Sequence, residues 1–318
     1  MLLCFIFMFS CSINKMAMNG ISDALTGSGS SAIFTGDSDP ILVGDALPFA
    51  IKLYESLLSM NPTHQGLIQM TGSLFVMYAN AFVQGPAEML PQRNFNERKS
   101  ELERAFKLYL RGADILYNGL DQKYPGFSTA YMNGTFGAVL TKLKKEDVPS
   151  LYWAVAGVLS AYSLDVLNME LGIRIPELKM MIDRAYELDP DFNNGALDDF
   201  FIIFYSSLPE SMGGNKALSD EHFRRAVEKS GGLAASPYVS YAKSASIPAQ
   251  DYDTFREMLD KALAINPDDD PANRLVNILN IQKAKYLLDN AGLFFINIDS
   301  GEWDDWGEWD DWEDWNRE

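Results

Sequence analysis

The chain has 318 residues and a net charge of −18, with 44 acidic side chains against 26 Lys and Arg. So acidic a surface excludes nucleic acid as a partner, because phosphate neutralisation needs a basic face, and it excludes electrostatic docking on anionic lipid. Both cysteines, Cys4 and Cys11, lie at the extreme N-terminus, and the only histidines are His64 and His222. The body therefore has no disulfide and no thiol nucleophile. It also lacks the usual ligands of a zinc or iron site, and no metal or cofactor is expected.

In chain order, Leu2–Phe9 is an apolar run ending at Ser10-Cys11-Ser12. It is too short to span a bilayer and suits the core of a signal peptide. Met8-Phe9-Ser10-Cys11 resembles a bacterial lipobox, so residues 1–11 are expected to be a lipoprotein signal segment with Cys11 as the lipidated residue. A membrane would then be met only through the N-terminal lipid. Residues 12–38, rich in Gly and Ser, are expected to be a flexible tether. Their glycines form no phosphate loop, because no Gly-Lys-Ser/Thr follows.

Asp39-Pro40 opens a folded domain predicted over residues 39–298, with Asp as helix cap and Pro in the first turn. The helix to Ser59 should kink or divide at Pro48. Leu67–Phe82 is small and apolar and should be buried nearly all round, and Gln84–Asn96 reads as a loop. Ser100 and Glu103 form a capping box for a helix to Leu120. Asp147-Val148-Pro149 opens a helix carrying Leu151-Tyr152-Trp153, and Ile175-Pro176 opens another that ends at Asp189-Pro190. Leu197–Ser207 is strongly apolar, Ser211–Asn215 is a tight loop, and Tyr252–Ile265 and Pro271–Asn290 make the last pair.

Four of these helices end alike. Ala50, Tyr54 and Leu57 precede Pro62 by the same offsets at which Ala113, Tyr117 and Leu120 precede Pro125. Ile182 and Ala185 before Pro190, and Leu259 and Ala262 before Pro267, repeat part of the series. This is the second half of a tetratricopeptide pattern. The prolines are spaced by roughly two periods of about 34 residues, so degenerate helix pairs are expected between them. The fold class is all-α, an irregular tetratricopeptide-like helical repeat array.

Residues 299–318 differ. Trp303, Trp306, Trp309, Trp312 and Trp315 recur every third residue among nine acids and one Arg. This acidic, Trp-rich tail is expected to be disordered and solvated by its charge, or to act as a docking strip for a basic, aromatic-binding groove.

No catalytic pattern stands out. Asp198-Asp199 and Asp268–Asp270 sit at helix starts or in turns, where capping and solvation explain them, and His64 and His222 read as surface residues. There is no G-x-S-x-G, no H-E-x-x-H and no dinucleotide fingerprint, so an enzyme is not expected. Stacked helix pairs make concave surfaces, and a binding role fits. The inner helices read as short of Lys and Arg, which disfavours capture of a peptide carboxylate.

The segments DPILVGDALPFAIKLYESLLSMNP, AFKLYLRGADILYNGL, YPGF, DVPSLYWAVAGVLSAYSLD, RAYELDPDF, SLPESMGG, FREMLDKALAINP and RLVNILNIQKAKYLL, in this order from Asp39 to about Phe295, resemble the TatT (T-component) family. These are lipoproteins associated with tripartite ATP-independent periplasmic (TRAP) transporters. The acidic Trp tail is outside that pattern, and the basic segment usual before a signal core is missing. The resemblance implies an all-helical protein with cryptic tetratricopeptide repeats, facing the periplasm and lipid-anchored to a bacterial membrane. It implies a homotrimer that scaffolds the transporter's periplasmic solute-binding protein, with a channel for a small, apolar ligand. By the same resemblance Tyr152 and Trp153 of the LYW segment and Leu208 and Met212 of LPESMGG are expected to line that channel, with Tyr131, Phe204, Tyr205 and Asn215. The alternative is a tetratricopeptide scaffold lipoprotein for envelope protein assembly with no part in solute transport.

Overall fold

A computed structural model describes residues 19–27, 29 and 32–296. The lipidation of Cys11 and the acidic Trp tail lie outside the described residues. Ten principal helices are named here: α1 Pro40–Met60, α2 Gln65–Tyr78, α3 Phe95–Lys123, α4 Val148–Leu164, α5 Ile175–Leu188, α6 Ala196–Ser207, α7 Lys216–Lys229, α8 Ser236–Tyr241, α9 Tyr252–Leu263 and α10 Arg274–Asp289. Among the described residues there are no strands, and the fold class is all-α as expected.

Two helices carry on past a π turn, α2 through Ala79–Gln84 to Gly85–Glu88, and α8 through Ala242–Ser246 to Ile247–Ala249. Much of the expected loop at Gln84–Asn96 is therefore helix. Pro86 and Pro248 each sit in the first turn of the segment after the π turn. The stretch from Gln65 to Glu88 is long and apolar enough to cross a membrane by length and composition, yet most of it is buried in protein, including every residue from Thr71 to Val76. It is a core helix.

Other boundaries also move. α1 runs uninterrupted through Pro48. α3 starts at Phe95, so Ser100 and Glu103 lie inside the helix and cap nothing. Pro91 and the 3-10 turn Gln92–Asn94 start it instead, with the Asn94 side chain donating to Glu97 Oε2 at 2.8 Å. The described part of residues 12–38 is helical at residues 19–26 and Ala32–Thr35 and is fastened to the body. Tyr54 O–H donates to Leu25 O (2.8 Å), Asn61 Nδ2 to Asn19 Oδ1 (2.7 Å), and Asp23 meets His64 Nε2 at 2.9 Å.

Three of the four proline-ended helices share one geometry. Asn61, Tyr124 and Asp189, each directly after its helix and before its proline, leave the helical region with ψ of 67°, 82° and 79°, whereas α9 already ends at Leu263 and Asn266 before Pro267 is extended with ψ of 116°. The residue before proline cannot stay helical, because the ring crowds its N–H and Cβ. The residues at matching offsets are core in three helices, Ala113, Tyr117 and Leu120 in α3, Leu178, Ile182 and Ala185 in α5, and Phe255, Leu259 and Ala262 in α9, whereas in α1 Tyr54 is buried but Ala50 and Leu57 are only half-buried.

Packing is closest where α2, α3 and α4 meet. A Cβ on Gly112 would lie 2.7 Å from Gly72 O, one on Gly72 would lie 2.9 Å from Gly112 O, and one on Gly157 would lie 3.0 Å from Tyr109 O. Glycine in a helix costs about 1 kcal/mol against alanine, and here its missing side chain is what lets the backbones touch. The chain then closes on itself. Leu275 and Leu279 of α10 pack into the core that α1 and α2 build from Val43, Leu47, Ile51 and Leu74. Arg274 Nη1 donates to Gly36 O at 3.0 Å. The helices thus form a closed circuit, with the end of α2, the start of α6 and the middles of α8 and α10 facing one another across its centre.

Candidate functional site

A polar cluster links these helices, with Lys243 exposed and Glu88 and Lys283 half-buried. The chain of contacts starts on α3. Tyr109, fully buried, donates its O–H to Gln84 Oε1 (2.5 Å) and accepts from Asn80 Nδ2 (3.2 Å). Gln84 Nε2 donates to Glu88 Oε1 (2.7 Å), and Lys243 Nζ donates to Glu88 Oε2 (2.6 Å). Lys283 Nζ stands 3.8 Å from the same Oε2. Tyr286 O–H donates to the Glu88 carbonyl at 3.3 Å. Asp199 completes the group from the first turn of α6, with the Ser236 and Ser240 hydroxyls against its carboxyl.

Tyr152, Asp199 and Lys283 are each half-buried. Burial pushes the Lys283 ammonium down, the like charge of Lys243 adds to this, and the group falls to about 8 despite Glu88 and Asp199. Burial raises the Asp199 carboxyl, against Ser240, Ser236 and Lys283. For Glu88 burial works upward but is overcome by Lys243 and Lys283 and by the bonds from Lys243 and Gln84, which bring it to about 2. The Tyr152 hydroxyl is pushed up by burial, then by the charge of Asp199.

Two π turns frame this cluster. Glu88 follows the one at Ala79–Gln84, and Lys243 lies within the one at Ala242–Ser246. The extra residue in such a turn re-aims the side chains after it, and π turns recur at functional sites for that reason.

An aromatic wall adjoins the polar group. Tyr152 packs on Trp153 (ring centroids 5.1 Å apart), Phe192 (5.4 Å) and Phe200 (6.4 Å). Phe200 continues to Phe204 (6.1 Å), Phe204 to Tyr205 (5.5 Å), and Tyr205 stacks on Phe201 (5.5 Å) and His222 (5.7 Å). The start of α4 is held by Asp147, almost fully buried, which accepts from Lys123 Nζ (2.6 Å), Tyr124 O–H (2.7 Å) and Lys144 N (2.8 Å).

Of the residues expected to line a channel, Tyr152, Trp153, Phe204 and Tyr205 join this one aromatic band. Tyr152 and Trp153 are half-buried, and Phe204 is core. Leu208 and Met212 lie in the loop after α6. That loop is so tight that a Cβ on Gly214 would fall 1.8 Å from Leu208 O. Asn215 has a local duty, its Oδ1 capping α7 by accepting from Leu218 N at 3.1 Å. Tyr131 belongs to a separate aromatic series, edge-on to Phe136, which meets Phe127 and through it Tyr117.

Three residues differ from their sequence reading. His222 is buried and not on a charged surface face, and its Nδ1 lies 2.7 Å from Asp198 Oδ1. Asp198 is fully buried and also takes Tyr186 O–H (3.1 Å) and Lys229 Nζ (2.8 Å), so it ties α5, α6 and α7 together and caps nothing. Asp199 is likewise enclosed. Sequence reasoning missed Glu88, Lys243 and Lys283 altogether. A signal existed for Lys283, which is four residues after Leu279 and four before Leu287 and so lies on the apolar face of α10. Among the described residues no group of three or more His, Cys, Asp or Glu is placed to hold a metal ion.

Comparison with known proteins agrees with this architecture. An uncharacterised protein of Treponema pallidum (strain Nichols) is 33% identical over 302 residues, covering 90% of this chain and 94% of that protein. The family described as TAtT, TRAP transporter T-component, matches residues 36–295, which include all ten helices and every residue of the polar cluster. The chain belongs to the TRAP transporter T-component family.

Proposed function

We propose that this protein is a lipid-anchored, periplasm-facing accessory subunit of a TRAP transporter that holds the solute-binding protein and offers a small, largely apolar ligand a passage into its own interior. The observation that carries the reading is the polar cluster of Gln84, Glu88, Lys243 and Lys283 together with the aromatic band at Tyr152. A framework needed only for shape would place apolar side chains there, because taking charges out of water is costly. The aromatic band from Tyr152 to Tyr205 supplies the apolar lining expected of a ligand site. In this reading Cys11 carries the lipid, the working form is a homotrimer, and the helices are tetratricopeptide-like pairs.

Two measurements test it together. The purified protein should retain a solute-binding protein encoded beside it when one is immobilised and washed, and mass spectrometry of the denatured protein should release a small molecule. Retention of the partner with no released molecule, and no binding of any apolar probe, would replace this reading by a scaffold for envelope assembly. Sedimentation as a monomer would remove the trimer. Loss of lipid labelling in Cys11→Ala checks the anchor.

A further inference from the structure

A groove of about 550 Å³ opens between the first half of α3 and the end of α4. Phe95, Leu102 and Phe106, on one face of α3, and Leu164 of α4 give it an apolar lining. Beyond Leu164 the chain goes on with Val166, Leu167 and Met169, exposed at 61%, 86% and 76%, and Phe95 is as open at 66%. Apolar side chains gathered at a surface in this way mark a place that something covers. Three cations stand along the same groove, Arg98, Lys99 and Lys107, against the carboxylates of Glu103 and Asp165. Arg98 and Lys107 form no ion pair among the described residues, and Lys99 reaches Glu103 only at 4.0 Å. In a chain with 44 acidic side chains and 26 Lys and Arg, a groove lined by more cations than carboxylates stands apart from the acidic whole.

We propose that residues 302–318, the acidic Trp strip, dock on this groove of their own chain, with indoles on the apolar lining and carboxylates on Arg98, Lys99 and Lys107. The strip has a net charge of −8, nine acids less one Arg, and five Trp, so it brings the two things that the groove is built to take. Trp carries a large apolar surface to bury, and Arg98 can serve either partner, taking a carboxylate or lying on an indole face. The spacing fits as well. Extended with three residues per turn, the strip puts its indoles on one edge about 9 Å apart, and Phe95 and Leu102 on α3 are separated by about 10 Å along the helix axis. The groove is also within reach. Tyr286, near the end of α10, bonds the Glu88 carbonyl just upstream of the turn that starts α3, so the last helix and the head of the groove lie on adjoining elements. Residues 297–318 span up to about 70 Å when extended. The strip lies outside residues 36–295 that the family matches, and the contact stands or falls independently of the passage.

Five of the six tryptophans lie in the strip, so the emission of the full-length protein reports on it. Acrylamide quenching at low salt should be severalfold weaker than for a synthetic peptide of residues 302–318, and should rise towards the peptide's level at high salt, because screening removes the charge contacts. Arg98→Glu combined with Lys107→Glu should expose the strip at low salt, and so should Phe95→Ser by itself. These side chains are exposed or half-buried, and far-UV circular dichroism verifies that each variant folds. Lys142→Glu, at an exposed lysine beyond the other end of α4, should leave the quenching as it is. Wild-type quenching equal to that of the peptide, or protection that both groove variants keep, overturns the inference. Protection that is lost on dilution overturns it too, by placing the strip on a second copy.

Discussion

At the scale of single residues, the buried charges set how stability depends on pH. Glu88 sits at about 2 in the folded protein against 4.5 for a free glutamate. The folded state therefore binds fewer protons than the unfolded chain between those values, and stability rises with pH across that window. Its contribution, on the order of 3 kcal/mol for a shift of this size, is fully present above pH 4.5 and lost as the pH falls towards 2. Lys283 has the opposite character from an ordinary salt-bridged lysine. Its folded value of about 8 lies below the free value of 10.5, so burial of its charge is a penalty at neutral pH. That penalty is relieved as the pH rises from 8 to 10.5, where the folded state holds a neutral amine and the unfolded chain still binds the proton. Thermal melts in pH steps should show an acid loss that Glu88→Gln flattens and an alkaline gain that Lys283→Met abolishes. A wild-type protein whose midpoint falls steadily between pH 8 and 10 would contradict the second point.

At the scale of helices, glycine positions decide how near the backbones come. Gly72 and Gly112 face each other across α2 and α3, and Gly157 brings α4 onto the same line. Replacing Gly112 by Ala favours the isolated helix by about 1 kcal/mol, yet the added methyl would meet Gly72 O at 2.7 Å and Val76 Cγ2 at 2.8 Å. Both are within van der Waals contact and one is backbone, so the helices must part. Overpacking of this kind costs roughly 1–3 kcal/mol, and Gly112→Ala should be net destabilising in urea unfolding; an unchanged or raised midpoint would refute the close contact. Helix ends were the most legible feature of the sequence, because proline acts on the residue before it whatever the tertiary setting, and Pro62, Pro125 and Pro190 each stop a helix in the same way, while α9 ends earlier, at Leu263. Helix starts were less legible. The Ser100–Glu103 pattern has the spacing of a cap but lies in the second and third turns of α3, since the turn at Gln92–Asn94 had already begun the helix. The π turns left no mark in residue type, because the extra residue is set by what the helix must face.

At the scale of the molecule, composition and periodicity were enough for the all-α class and for the order of the main helices. The polar centre was not legible. Its members come from α2, α3, α4, α6, α8 and α10, and no local pattern brings Glu88, Asp199, Lys243 and Lys283 together. Asp198-Asp199 looked like cap residues because acids at a helix start commonly are, and only the packing of α7 and α8 over them encloses their side chains. Of the eight residues expected at a channel, four lie in one aromatic band, while Tyr131 is held by rings of its own.

The joint between α10 and the stretch preceding α1 has a mechanical meaning. The circuit of helices is closed by a segment from the very start of the fold, where Gly36 O takes Arg274 and Phe34 packs on the core shared with Leu275. A pull delivered through the N-terminus is met first by the contacts of residues 19–26 with Tyr54, Asn61 and His64, and next by this joint. In an optical trap with the N-terminus held, an early step after those contacts yield should be release of α10 from α1 at low force. Arg274→Ala should lower that force and leave later events unchanged. A single rupture of the whole body, unaffected by Arg274→Ala, would mean that the load is borne elsewhere. A protein moored at one end would then wear its clasp where the rope is tied.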